Sequence, residues 1–362
     1  MYESMAISGA TMKQSLWKVI RAMSLIIGLI IVVVWALEST RHDFKDLTQT
    51  VAATVRPLPI PSGSYKGVVW FSTNQLIFLY ASNPSSLYSL EEHRMFRYTI
   101  GTTDWKILKL PQEDLKAEYA PFYRLSNGKL AFGYSYIDIH EHNSIVNPEI
   151  AAIYMWDDQT NHFEVLHRYD EGFFNGTFTF SPDMSESILE NPVGSGYHNQ
   201  LYRFDRNKQM TRLLADYERV SDPSWSPDGR MIAFLGTESY TPKTLIGFLD
   251  WNLLRDRFFY PWDLYLMDAN GKNVRIILAG IEGESKIGGW LSNGRLLSFT
   301  GKYKKTDGIW MLNIETHQLT RVWASAADYH WSPDGTQMVV IQRVKEGDIE
   351  RTYPVIVDLP NL

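Results

Sequence analysis

The chain begins with one long apolar segment and continues with short apolar stretches separated by polar turns. Residues 22–37, AMSLIIGLIIVVVWAL, contain no charged residue. Extended back to residue 16, the segment can span a bilayer if Lys18 and Arg21 reach the interface. From about residue 66 onward the apolar runs are short and alternate with polar residues, as in β-strands. The pattern predicts one N-terminal transmembrane helix followed by an all-β region.

Charges around the apolar segment predict its orientation. Three bases precede the segment and two acids follow it: Lys13, Lys18, Arg21, Glu38 and Asp43. The positive-inside bias puts residues 1–15 in the cytoplasm, makes residues 16–37 a signal anchor, and puts the remainder outside. We therefore expect a single-pass protein of the cell membrane. A cleaved signal peptide is the alternative, although no small-x-small site directly follows the segment.

A turn motif recurs along the rest of the chain. An aromatic residue followed by Ser-Pro-Asp-Gly begins at Trp225 and at Trp331, and weaker copies begin at Trp70, Arg124, Phe180 and Trp290. The serines of successive copies are 40 to 66 residues apart. Each copy continues as a strand, a turn and a further strand, as in DLYLMDANGKNVRIIL. Such a period of short strands is typical of β-propeller blades, so the sequence predicts six four-stranded blades over residues 66–362.

The turn chemistry agrees with hairpins. Pro presets the second position of a type I turn, and Gly takes the left-handed position that follows. The copies at Ser126 and Ser292 read Ser-Asn-Gly, for which we expect a two-residue hairpin with positive φ at both Asn and Gly. The aromatic residue before the turn is expected to fill the wedge between neighbouring blades.

The end of the chain lacks one strand of the pattern. The last copy ends in YPVIVDLPNL, which supplies a third strand but hardly a fourth. Residues 47–56, LTQTVAATVR, contain alternating β-branched residues. We expect part of this segment to pair on the outside of the last blade, because ring closure removes an open sheet edge. Residues 38–65 are therefore predicted to be a linker with a ring-closing strand.

These motifs resemble a known family. The patterns WSPDG(R/T) and LYLMDANGKN are similar to the WD40-like repeats of TolB-type six-bladed propellers, over about residues 67–362. The resemblance implies a six-bladed propeller. TolB-type proteins carry an α/β domain before the propeller, which we expect to be missing here. Oligogalacturonate lyases resemble this class of propeller and use a His-bound metal, which implies a rival function as a metal-dependent enzyme.

Composition excludes several kinds of chemistry. The 362 residues include no cysteine, which excludes disulfides, thiolate metal sites and cysteine nucleophiles. The formal net charge is −6, and no basic face suggests a nucleic-acid partner. The chain also contains no nucleophile elbow and no phosphate-binding loop. These observations favour a protein that is not an enzyme.

One stretch could bind a metal. In DIHEH, Asp138, His140 and His142 share one face if the stretch is extended. Two imidazoles and a carboxylate could hold zinc or another divalent ion. The favoured interpretation is a polar, solvated loop, so we expect no cofactor. The alternative is a metal-dependent lyase or hydrolase that acts on polysaccharide.

The loops from each outer strand to the next inner strand are predicted to share one face and to be acidic. They hold eleven acids against Lys116, Arg219 and Lys286. Candidate binding residues there are Glu118, Asp170, Glu171, Asp222, Glu282, Glu284 and Asp328. Trp251 and Tyr260, in an aromatic insertion, either cover their own blade or form a recognition lip. The alternative is that loops are simply polar. We predict a membrane-anchored, extracytoplasmic module that binds a protein or a glycan on this face.

Overall fold

The computed structural model describes most of the predicted all-β region. It describes residues 54–60, 64–81, 93–108, 117–140, 143–146, 152–160, 162–168, 177–192, 199–205, 210–212, 217–238, 261–291, 294–324, 326–346 and 349–359. These residues belong to one compact unit, Leu47–Leu362. Within these ranges no helix is long and apolar enough to cross a membrane. The predicted span at residues 16–37 lies outside them.

The described residues form strands and turns, and the all-β part of the prediction is confirmed. The first twelve strands are β1 (Thr54–Pro57), β2 (Ser64–Ser72), β3 (Gln75–Ala81), β4 (His93–Thr99), β5 (Trp105–Ile107), β6 (Ala117–Arg124), β7 (Leu130–His140), β8 (Asn143–Val146), β9 (Ala152–Asp157), β10 (His162–Arg168), β11 (Phe178–Phe180) and β12 (Ser187–Pro192). The next twelve are β13 (Asn199–Phe204), β14 (Met210–Arg212), β15 (Tyr217–Trp225), β16 (Met231–Glu238), β17 (Trp262–Asp268), β18 (Arg275–Trp290), β19 (Leu296–Tyr303), β20 (Thr306–Asn313), β21 (Leu319–Trp323), β22 (Asp328–Trp331), β23 (Gln337–Glu346) and β24 (Ile349–Asp358).

The described strands form five antiparallel sheets. Their orders are β2–β3–β4–β5, β6–β7–β9–β10 with β8 also on β7, β11–β12–β13–β14, β15 to β21 in sequence, and β22–β23–β24–β1. The strand β18 explains the seven-stranded sheet, because it pairs with β17 up to Ile281 and with β19 from Glu282 onward. Gly280 and Gly283 flank this change of partner and have φ near +79°, a conformation that glycine adopts at low cost. The prediction of a loop over residues 279–289 is therefore wrong, because these residues belong to β18.

Ser-Pro-Asp turns close three of the hairpins in the same way. In each, the serine hydroxyl donates to the aspartate two residues later: Ser181 to Asp183 at 2.7 Å, Ser226 to Asp228 at 2.6 Å and Ser332 to Asp334 at 2.6 Å. The serine oxygen also accepts the amide of the residue five positions later. The turn interpretation of the motif is thus confirmed, and both polar side chains act within the turn.

The Ser-Asn-Gly copies differ from the expected two-residue hairpin. Gly128 and Gly294 have positive φ, whereas Asn127 does not. The amide of Gly128 donates to Leu125 O, and that of Gly294 to Leu291 O, as Gly229 donates to Ser226 O. Leucine therefore occupies the serine position of the same kind of turn. Both leucines are buried, so packing replaces the serine hydrogen bonds.

Contacts run from each sheet to its neighbour. The aromatic residues before the turns are buried at Trp70, Trp225 and Trp331. The contacts that join successive units are Arg124 Nε to Phe71 O at 2.6 Å, Ser126 to Pro182 O, Asp222 N to Thr177 Oγ1 at 2.8 Å, Trp290 Nε1 to Ser224 O at 3.1 Å, Trp331 Nε1 to Ser298 Oγ at 2.8 Å, and Val68 N to Asp328 Oδ2 at 2.9 Å. The hydrogen bond from Val68 to Asp328 joins the last sheet, at β22, to the first, at β2.

The strand β1 completes the sheet that contains β22, β23 and β24. Thr54 pairs with Asp358 and Pro57 with Val355 in antiparallel register. The Arg56 guanidinium also binds the Asp358 carboxylate, at 2.8 and 3.0 Å. The sequence predicted such a pairing for part of residues 47–56, and the N-terminal segment thus supplies the outer strand that the last repeat lacks.

Candidate functional site

Four charged side chains from four strands come together where neighbouring sheets meet. We call Glu190 (β12), Asp222 (β15), Lys286 (β18) and Asp328 (β22) the charged cluster. The strands that carry it are in contact, since β15 packs on β12 and β18, and β18 on β22. The three carboxyl groups belong to buried residues, and burial of charge is costly unless each group finds partners. The partners of each member therefore decide what it can do.

Asp328 is fully engaged between three strands. Its Oδ1 accepts a hydrogen bond from Lys286 Nζ at 2.6 Å, and its Oδ2 accepts the Val68 amide at 2.9 Å. One carboxylate therefore ties β22 to β18 and to β2. Asp328 was expected on a loop, residues 324–329, whereas it begins strand β22. Its contacts are those of a side chain that holds sheets together.

Glu190 joins the β11–β12 hairpin to β15. Its Oε2 accepts the amide and the hydroxyl of Thr177, at 3.1 and 2.8 Å. The Ser221 hydroxyl lies 3.1 Å from the same oxygen. Sequence reasoning missed Glu190. The available signal was an acid within the strand SILENP, at a position flanked by Leu189, where an apolar residue would be typical.

Asp222 is the member with the fewest donors. The Ser221 hydroxyl lies 3.1 Å from its Oδ2, and its own amide donates to Thr177 Oγ1 at 2.8 Å. Its backbone has φ of 52°, in the left-handed region that non-glycine residues seldom adopt. Burial, and then repulsion by Glu190, raises the pKa of the Asp222 carboxyl to about 7, against the attraction of Lys286. This group therefore changes charge near neutral pH.

Lys286 supplies the positive charge of the cluster. Burial alone would lower its pKa, but attraction by Asp328 and Asp222 outweighs burial and raises it. The side chain keeps 38% of its surface exposed, so it lies at the boundary with solvent. With three carboxyl groups against one ammonium, the cluster carries a net negative charge when Asp222 is ionised.

His330 follows Asp328 by two positions on the same strand, so both residues point to one face. Burial lowers the pKa of His330 to about 4, and its imidazole is neutral at pH 7. The ring Nδ1 lies 2.8 Å from Trp331 O. The site therefore places a neutral imidazole beside the charged cluster.

The structure brings together only part of the predicted acidic face. Asp222 and Asp328 join Lys286 in the charged cluster, while Glu282 is exposed, with Lys302 Nζ at 3.9 Å. The backbones of Glu118, Asp138, His140 and Glu284 lie in β6, β7, β7 and β18, and their side chains lie outside the described part. Asp170, Glu171, His142, Trp251 and Tyr260 lie outside it altogether. For these nine residues, and equally for Asp222, Glu282 and Asp328, a binding or metal role stays a prediction.

The residues with described side chains include no metal-binding set. Among them, no three His, Asp or Glu side chains form a group that could hold a metal ion. The predicted set of Asp138, His140 and His142 is not among them, because its side chains are not described.

Comparison with known proteins supports the propeller fold. TolB from Acinetobacter baumannii superposes with a TM-score of 0.52 at 15% identity, over 79% of this chain and 63% of TolB. The chain thus spans less than two thirds of that protein. A manganese complex of an oligogalacturonate lyase gives 0.50 at 12% identity, over 86% and 96% of the two chains. A gluconolactonase from Xanthomonas campestris gives 0.50 at 13%, over 85% and 90%. No family model and no curated protein sequence matches the chain.

These likenesses establish a β-propeller and correct one expectation. The sequence favoured a protein that is not an enzyme. The similar structures include a lyase and a gluconolactonase as well as TolB, so the preference against an enzyme is wrong, because enzymes share this fold. At 12 to 15% identity the likeness extends to the fold alone, and a fold does not by itself define a function.

Proposed function

We propose that this protein is a six-bladed, membrane-anchored binding propeller whose ligand is a basic segment of a partner protein, bound at the charged cluster. The observation that carries this proposal is the convergence of Glu190, Asp222, Lys286 and Asp328 from four strands. In a propeller the inner strands surround a central channel. Excess negative charge at a channel mouth attracts cations, and the surrounding protein focuses its field.

The count of six blades has support in the topology. Dividing β18 at its change of partner turns the seven-stranded sheet into two four-stranded units. Together with the other four sheets this makes six units, each linked to the next by the contacts given above. The strand β1 is the outer strand of the last unit.

Binding can be tested with defined probes. The full-length chain in mild detergent is titrated with fluorescent octalysine, octaglutamate and an oligogalacturonate at low salt and pH 8. We expect octalysine to bind, to weaken as salt is added, and to bind several-fold less tightly to the Asp222→Asn variant. Equal binding of octalysine and octaglutamate, or binding untouched by the variant, contradicts the proposed ligand.

An enzymatic function is the second candidate. A carboxyl group whose pKa lies near 7 beside an ammonium is suited to proton transfer. A polysaccharide-acting enzyme would use Asp222 in this role, with or without a metal at Asp138, His140 and His142. Cleavage of the oligogalacturonate, abolished in the Asp222→Asn variant, would favour this candidate over the binding module.

The proposed location is the outer side of the cell membrane. It rests on the apolar segment at residues 16–37 and the basic residues before it. A reporter that is active only in the cytoplasm, fused after Leu362, should be inactive. High reporter activity, or release of the protein by carbonate, contradicts the anchor and its orientation.

A further inference from the structure

Two carboxyl groups share one hydroxyl hydrogen where the β11–β12 hairpin meets β15. Ser221 Oγ lies 3.1 Å from Glu190 Oε2 and 3.1 Å from Asp222 Oδ2. A serine hydroxyl has a single hydrogen and can donate it to only one of them at a time. When the Ser221 hydroxyl donates to Glu190, it no longer donates to Asp222.

Thr177 cannot supply the missing hydrogen. Its amide and hydroxyl both donate to Glu190 Oε2, and its Oγ1 accepts the Asp222 amide. A protonated Asp222 would complete a series of hydrogen bonds, since its hydroxyl could donate to Ser221 while Ser221 donates to Glu190. The geometry thus leaves room for one additional proton between the two sheets.

We propose that Asp222 forms a pH-dependent contact between these sheets: protonated, it completes a hydrogen-bond chain through Ser221 to Glu190, and ionised, it gives the charged cluster its additional negative charge. The first half of this proposal stands without the proposed ligand. The second half rests on the proposed function, because it makes the site more attractive to a basic segment above neutral pH.

The groups around Asp222 favour both states. Glu190 on β12 and Asp328 on β22 repel its charge, whereas Lys286 on β18 attracts it. The charge of Asp222 also helps to raise the pKa of Tyr329, which is next to Asp328. Burial is the largest effect and raises the pKa of Asp222 to about 7, against 3.8 for an ordinary aspartate. The contact therefore changes its protonation state near neutral pH.

The sign of the effect on stability follows from proton linkage. Because the folded pKa is raised, the folded state holds a proton that the unfolded state releases between pH 4 and 7. The contribution of Asp222 to the free energy of unfolding is largest below pH 4 and falls as the pH rises to about 7. His330 works in the opposite direction, since its pKa is lowered to about 4. Only the difference between the wild type and a variant of Asp222 isolates the effect.

The test is the unfolding equilibrium of the full-length chain in detergent from pH 5 to pH 8. Asp222→Asn mimics the protonated group, and Glu164→Gln changes an exposed acid on β10 as the matched control. We expect the wild-type unfolding constant to rise, relative to Asp222→Asn, by ten- to roughly a hundredfold over this range. Glu164→Gln should follow the wild type.

Parallel pH profiles for the wild type and Asp222→Asn would overturn the proposal. The Ser221→Ala variant distinguishes a contact that depends on pH from one that only stabilises the fold. Ser221 would take part in two hydrogen bonds when Asp222 is protonated and in one when Asp222 is ionised, so its loss should move the midpoint of the transition to lower pH, and a shift to higher pH would show that Ser221 serves only the ionised carboxylate. An equal loss of stability at every pH would show that the contact does not titrate. Failure of octalysine to bind would contradict the proposed ligand and the second half of this proposal, but not the pH-dependent contact between the sheets.

Discussion

Two aspartates near the turn end of strand β15 are in opposite situations. In the turn that follows the strand, Asp228 receives hydrogen bonds from Ser226 and Arg230 N within two residues, and these bonds lower its pKa. Within the strand, Asp222 shares the hydroxyl of Ser221 with Glu190 of another sheet, and burial raises its pKa to about 7. A carboxylate served by its own turn stabilises the hairpin. A buried carboxyl group that shares its hydroxyl donor with a second carboxyl group has an incomplete set of donors and is available for function.

The same contrast holds for the other turns and predicts two separate pH windows. Hydrogen bonds from Ser181 and Ser185 lower the pKa of Asp183 to about 2, and Asp334 is lowered by Ser332 and the Thr336 amide. Stability from the turn aspartates is present above about pH 4 and is lost as pH falls below it. Stability from Asp222 is lost as pH rises from 4 to 7.

The largest expected effect is the loss of Asp328. Asp328→Ala leaves Lys286 without its 2.6 Å partner and the Val68 amide without an acceptor. We expect the free energy of unfolding to fall by about 3 kcal/mol, since one partner of a buried pair is removed. Chemical denaturation at pH 7 measures this. Asp328→Asn removes the charge but keeps an acceptor for Val68 and should lose less, and equal losses for both variants would contradict the role of the Val68 hydrogen bond.

The turn serines should matter less. Ser332→Ala removes the hydrogen bonds to Asp334 and to both backbone groups of Gln337. The expected loss is about 1 to 2 kcal/mol. Ser72→Ala is the matched control, because the hydroxyl of Ser72 has only a 3.5 Å contact with Asn74. If the control lost as much stability as Ser332→Ala, the turn hydrogen bonds would not be the cause.

The smallest effect is expected at β1. Arg56 and Asp358 form a pair in which the side chains are 48% and 28% exposed. Such pairs contribute about 0.5 kcal/mol, so Arg56→Ala should lower the free energy of unfolding only slightly, and less in high salt. A loss above about 2 kcal/mol would show that this ion pair, and not the backbone pairing, holds β1.

The features that the sequence predicted are those encoded locally. The Ser-Pro-Asp turns and the alternating strands follow from neighbouring residues, so the all-β fold could be predicted. Leu291 shows a limit, because a buried leucine fills the serine position of its turn. The change of partner within β18 depends on its pairing with β17 before the change and with β19 after it, which the apolar pattern of β18 alone does not specify. The charged cluster was predicted only in part. Glu190 belongs to it through hydrogen bonds from Thr177 and Ser221, which its neighbours in the sequence do not indicate.

The protonation of Asp222 can be measured by NMR. Carboxyl carbons of the full-length chain labelled with ¹³C-aspartate can be followed by NMR from pH 4 to pH 9, and the Asp222 signal is the one absent from Asp222→Asn. The structure predicts a titration midpoint near 7 for Asp222, while hydrogen bonds within the turns lower the pKa of Asp183, Asp228 and Asp334, so their midpoints should lie below that of an ordinary aspartate. A midpoint below pH 5 would show that the charged cluster satisfies Asp222 as fully as the turns satisfy their own aspartates, and would contradict the account.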